Sequence, residues 1–159
     1  MKSMDIDSAR TAISGLLIGM SLDSLRVYST ILLLGFYRFD ATALPGEVWI
    51  SCSGNVLLKN SRPDESEINE NDVDFFARRA SILGRIYNLI GATVSSVDID
   101  PSGVLTVTLS GKEIRFQRDK DSFEEIWAVM SDSPDVSDAH RWYIALDDAG
   151  QIGGKISDV

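Results

Sequence analysis

Between Asn71 and Gly91, apolar residues recur at intervals of three and four: Phe76, Ala80, Leu83, Tyr87 and Ile90. Phe75, Ile82, Ile86 and Leu89 widen the stripe, and Arg78, Arg79 and Arg85 take remaining positions. That period predicts an amphipathic helix lying on a sheet. Asn71 is a suitable N-cap, Asp72 and Asp74 fall in the first turn where the helix dipole favours carboxylates, and Gly91 offers a C-terminal cap. Beyond the helix the period drops to two. Val94, Val97 and Ile99 precede the turn Asp100-Pro101-Ser102-Gly103, and Leu105, Val107 and Leu109 alternate with Thr106, Thr108 and Ser110. Ser110-Gly111-Lys112 then turns the chain into Ile114 and Phe116, so three antiparallel strands in a meander are expected. Glu125 to Met130 reads as a further strand, with a short helix opening near Ser122 as the alternative. Arg141 to Leu146 reads as the last strand, closed by Asp147, Asp148 and Gly150.

The first part of the chain echoes this order. Leu17-Ile18-Gly19 matches Leu89-Ile90-Gly91, the register continues from Ser24 to Ser96 and from Val27 to Ile99, and Gly46 to Ile50 resembles Glu124 to Ala128 around Trp49 and Trp127. The reading is an α+β chain with antiparallel sheet or sheets and one long and one weaker amphipathic helix, the weaker spanning Ser8 to Gly15. It forms a tandem degenerate repeat of helix plus β-meander, in which a helix and two strands lead to a Trp-bearing strand. Residues 1–159 are expected to form one compact domain, with copies at about 8–60 and 72–146 and an acidic linker at 61–71. Whether the copies share one sheet or build two depends on which strand edges pair, which periodicity does not report.

Composition narrows the function classes. A chain of 159 residues with 44% hydrophobic and 25% charged residues can fold by core burial alone. The only cysteine is Cys52, so neither an internal disulfide nor a Cys-based zinc site is available within the chain, and a reducing compartment is expected. Apolar runs are too short to span a bilayer, and Lys2 is followed by Asp5, Asp7 and Arg10 where a signal peptide would be apolar. The expected location is cytoplasmic. Net charge is −9 and unevenly spread: up to Pro63 six basic residues face five acidic ones, whereas from Asp64 onward nine face nineteen. A negative field repels phosphate backbones and attracts cationic proteins, which argues against nucleic acid as a ligand.

Candidate chemistry is sparse. His140 is the only histidine, so any Ser-His-Asp or Cys-His arrangement would have to use it, and no G-x-S-x-G elbow exists. Asp98 to Gly103 imitates the start of a calcium loop, but Leu109 stands where a bidentate Glu belongs, and a hairpin turn explains the residues better. Gly150 to Ser157 hints at a phosphate loop but has Ala149 and Ile156 at two required positions; it reads as a flexible tail. Adjacent carboxylates such as Glu124 with Glu125 point to opposite faces of a strand. No catalytic set, metal site or cofactor is expected. The candidate partner-binding residues are the acidic loop Asp132, Asp135 and Asp138 with His140, together with Asp119, Asp121 and Glu124.

The run Leu-Ile-Gly-x-x-Val-x-x-Val-x-Ile from Leu89, then Gly103 to Ile114, then Glu125-Ile126-Trp127, resembles the small β-rich domains of bacterial immunity proteins, including those of contact-dependent growth inhibition systems. It covers Leu89 to Trp127, and Leu17 to Trp49 more loosely. The resemblance implies a cytoplasmic antitoxin that binds one cognate toxin domain, often a nuclease, and covers its active or substrate-binding surface. The competing expectation is a small-ligand-binding protein or enzyme using a carboxylate- and Trp-lined cleft between the two copies. Oligomeric state is not legible.

Overall fold

The computed structural model describes residues 2–40, 44–60, 75–118, 125–131 and 142–156. Helix α1 (Ile6–Leu17) begins at Asp5, whose carboxylate accepts from the Ser8 N–H at 2.8 Å and the Ser8 hydroxyl at 2.7 Å. The backbone bond, then the hydroxyl bond, holds the Asp5 carboxyl below its ordinary pKa. This cap lies three residues ahead of the predicted start at Ser8, and α1 buries Ala9, Ile13, Leu16 and Leu17. It is followed by β2 (Ser21–Val27), β3 (Leu32–Tyr37), β4 (Glu47–Cys52) and β5 (Asn55–Asn60), and preceded by β1 (Lys2–Ser3).

The second part opens with α2 (Phe75–Tyr87); the predicted first turn from Asn71 lies outside the described residues. Its core-facing side chains are Ile82, Leu83 and Ile86, with Leu89 in the turn that follows, whereas Tyr87 and Ile90, expected on the buried stripe, are exposed. The helix tightens after Tyr87, with the N–H groups of Leu89 and Ile90 bonding three residues back to Ile86 and Tyr87, so the 3.6-residue period ends there. Strands β6 (Val94–Ile99), β7 (Leu105–Leu109), β8 (Lys112–Gln117) and β9 (Glu125–Ser131) follow, then β10 (Trp142–Asp147) and β11 (Ile152–Ile156). The meander β6-β7-β8 is as expected. The segment expected to be a flexible tail instead forms β11, which pairs antiparallel with β10 and with β1. Its buried Gly153 and Gly154 carry no alternating side chains, so the strand has no period to read.

Two sheets result, both wholly antiparallel: seven strands in the order β1-β11-β10-β9-β4-β3-β2, and four in the order β5-β8-β7-β6. One core joins them. Leu34, Phe36, Val48, Ile50, Trp127, Val129 and Ile144 from the large sheet share it with Val97, Val107, Ile114 and Phe116 from the small one and Ile13 and Leu17 from α1. The Trp127 indole N–H donates to the Gly103 carbonyl at 2.8 Å, tying the β6–β7 turn to the opposite sheet. Second-half strands before the Trp-bearing one number three, not two, since β6, β7 and β8 all precede β9.

The sheets meet where β2 and β6 begin. Ser21 bridges Thr93, with their hydroxyl oxygens 3.3 Å apart and a sequence separation of 72. Around this bridge, Leu22 N–H donates to Ala92 O at 3.0 Å and Val94 N–H to Met20 O at 2.8 Å. Gly19 N–H likewise donates to Val94 O at 3.0 Å and Gly91 N–H to Leu22 O at 2.7 Å. Each pair of bonds interchanges when residues 72 apart are swapped. Gly19 and Gly91 both hold positive φ, at 86° and 89°, where a side chain would be strained. Both β2 and β6 carry a bulge at the next residue, between Leu22 and Ser24 and between Val94 and Ser96.

Among the described residues no helix is long and apolar enough to cross a membrane.

Candidate functional site

All seven residues selected from sequence, Asp119, Asp121, Glu124, Asp132, Asp135, Asp138 and His140, lie outside the described residues, as does the acidic linker. Their anchor points are described. Across the large sheet, Leu22, Phe36, Val48 and Ser131 stand in one row; across the small sheet, Val94, Leu109, Lys112 and Asn60 stand in another. The two rows touch through the Leu22 and Val94 backbone bonds, so they form one band across the joined end of the molecule. At one tip of that band Asn60 leads into 61–74, and at the other Ser131 leads into 132–141. Trp142, where the second connection returns, donates its N–H to the Ser131 hydroxyl at 3.0 Å, so both its ends are held at that place.

The charge is concentrated in these connections. The described residues hold twelve Lys and Arg against eleven Asp and Glu, a formal +1. The other thirteen acids face three bases: six acids in 61–74, three in 119–124, three in 132–141, and Asp158. The two connections starting from the joined end carry nine of those thirteen carboxylates.

The same end exposes apolar side chains. Ile18 and Ile90, at matching places in the two helix-to-strand turns, are 45% and 41% exposed. Tyr37 ends β3 opposite both Ser21 and Glu47, and packs edge-on against Phe39 with ring centroids 4.9 Å apart; Phe39 is 83% exposed. Between them, Arg38 donates from Nη2 to Leu16 O at 2.7 Å and from its backbone N–H to Gly46 O at 2.8 Å. A cation on the last carbonyls of α1 suits the helix dipole, and it pins the chain that carries Tyr37 and Phe39. Exposed apolar residues are ordinary on a protein surface, and Val27, Tyr28 and Ile31 are exposed as well, around the β2–β3 turn at the opposite end of those strands. Pattern reading missed Ile18, Tyr37, Phe39 and Ile90. The signal for Ile18 and Ile90 was in the repeated Leu-Ile-Gly, where the residue after the last buried Leu sits at a helix terminus and turns outward.

Trp49 and Trp127 do not line a common cleft. Trp49 and Trp127 lie on adjacent strands but on opposite faces of the large sheet: Trp127 is in the shared core, and Trp49 is on the outer face with Leu33, Ala128, Met130, Ala145 and Tyr143. The Trp49 ring covers Gly35, where a Cβ would come within 2.9 Å of it, and the Arg26 guanidinium stacks 4.6 Å from its centroid. Its indole N–H donates to Glu47 at 2.7 Å. Tyr143 donates its hydroxyl to Glu125; burial first, then that bond and the carboxylate charge, raise its pKa.

Other candidate groups are structurally occupied. The Asp100 carboxylate accepts from Ser102 N–H, Ser102 hydroxyl and Val104 N–H, which is the chemistry of a hairpin turn. Burial opposes ionisation there, and those three bonds outweigh it and lower the pKa. Cys52 is buried, and burial pushes its thiol up to about 12, so it is not a thiolate at neutral pH. Among the described residues no three His, Cys, Asp or Glu side chains are grouped to hold a metal ion. No family model, curated protein or solved structure matches this chain.

Proposed function

We propose that this chain is a cytoplasmic immunity protein: an antitoxin that binds a cognate basic toxin domain, a nuclease by preference, and covers its active or substrate-binding surface. The observation that supports the reading is the uneven charge along the chain, with nineteen of its twenty-four carboxylates after Pro63 and nine of them in 61–74 and 132–141, the two segments that start from the joined end. Carboxylates on connecting segments can meet the Lys and Arg side chains that a nuclease turns toward phosphate, forming charge-assisted hydrogen bonds and steering the encounter. Asp132, Asp135, Asp138 and His140, with Asp119, Asp121 and Glu124, are the residues assigned to that contact. Ile18, Tyr37, Phe39 and Ile90 supply the apolar anchors that charge alone does not provide. The same proposal takes the chain to descend from two fused copies of a helix-plus-meander unit, a reading supported by the interchangeable bonds around Ser21 and Thr93.

The test uses the toxin domain encoded beside this chain's gene. Mixing the two should give a stable complex that abolishes toxicity, with an association rate that falls steeply between low and physiological salt. Reversing Asp132, Asp135 and Asp138 to Lys should slow association by about tenfold or more while leaving the thermal midpoint nearly unchanged. A neighbouring toxin that neither binds nor is neutralised removes the proposal.

A further inference from the structure

Each half of this chain completes the other's sheet. The first half builds the meander β2-β3-β4, and the strand added to its β4 edge is β9, from the second half, over the register Val48↔Ser131 to Cys52↔Trp127. The second half builds the meander β6-β7-β8, and the strand added to its β8 edge is β5, from the first half, over Asn55↔Gln117 to Asn60↔Lys112. A further exchange places β1 beside β11. The chain passes from the large sheet to the small one between β4 and β5 and is back in the large sheet at β9. Ser53 and Gly54 both point their N–H groups at Ile126 O, and a Cβ on Gly54 would fall inside the van der Waals envelope of the Gln117 carbonyl. The helices reinforce the exchange: Arg10 of α1 bonds Ile99 O at 2.8 Å and pairs with Asp98 at 2.8 Å, both on β6, and Arg79 of α2 bonds Ser29 O at 2.9 Å.

We infer that residues 2–60 and 75–156 are reciprocal binding partners, held together by exchanged strands rather than by the connection 61–74. Neither half has a complete sheet of its own. Left alone, β4 and β8 would each present a bare edge, and Trp127, Phe36 and Phe116 would lose the far wall of their core. The surface each half offers includes a three-stranded meander with an open edge, and what fits it is the other half of the same chain. This inference is independent of what the protein binds.

A protease recognition sequence flanked by Gly-Ser spacers, placed within 61–74 of the full chain, tests it. The uncut protein should match the parent in circular dichroism and thermal midpoint. After cutting, the two fragments should co-elute at the size of the intact chain and appear as a 1:1 complex in native mass spectrometry. Their midpoint should then rise with protein concentration, as dissociation becomes part of unfolding. Gly54→Val in the cut protein should weaken the complex by about a hundredfold or more. Fragments that separate at micromolar concentration, each keeping its own cooperative transition, would overturn the inference; so would a cut complex whose midpoint ignores concentration.

Discussion

At Gly54 the chain passes from the large sheet to the small one against the Gln117 carbonyl, and backbone cannot yield as a flexible side chain can. Gly54→Ala should therefore cost about 3 kcal/mol in urea unfolding, at the upper end of the usual range for overpacking because the obstacle is main chain. Cys52 makes a pH prediction. Its folded pKa, about 12, lies above the ordinary value of 9.0, so the stability it contributes is fully present below pH 9 and is lost as pH rises toward 12. Cys52→Ala should flatten the alkaline limb of stability against pH relative to the parent; an identical limb in both proteins would refute the assignment. Phe39 offers the complementary case. With 83% of its surface exposed, Phe39→Ala should change stability by less than about 0.5 kcal/mol, yet speed dissociation of the proposed toxin complex by about tenfold or more if it anchors the interface.

At the scale of elements, what could be read from sequence depended on whether side chains carried the signal. The strands β6, β7 and β8 were legible because Leu105, Val107 and Leu109 alternate with Thr106 and Thr108, and burial follows that alternation. Strand β11 was not, because two of its five residues are glycines and its burial comes from the neighbours β10 and β1. Helix α2 was legible as a helix, but its buried face was set by Ile82, Leu83 and Ile86, and the tight turn after Tyr87 buried Leu89 and left Ile90 in solvent. The start of α1 was displaced because Asp5, rather than Ser8, supplies the cap; Ser8 is instead the third helical residue, whose N–H the cap accepts. The likeness of Trp49 and Trp127 in sequence did not extend to their surroundings, since neighbouring strands put them on opposite faces.

For the whole molecule, the charge imbalance was visible in the bare sequence, but its geometric meaning was not. Counting acids located them after Pro63; only the strand pairings brought Asn60 and Ser131 to the two tips of one band, so that segments far apart in sequence start from the same end. Periodicity reports which face of a strand is buried and says nothing about its neighbours, which is why the exchange of β5 and β9 lay beyond it. The borders of the two sheets have a consequence for recognition. The large sheet is bounded by the two-residue β1 and by the bulged β2, while the small sheet's outer strands β6 and β5 lie against α1 and α2. Among the described residues the short β1 and the bulge in β2 leave limited straight ladder for a visiting chain to extend, which favours recognition through side chains over strand addition.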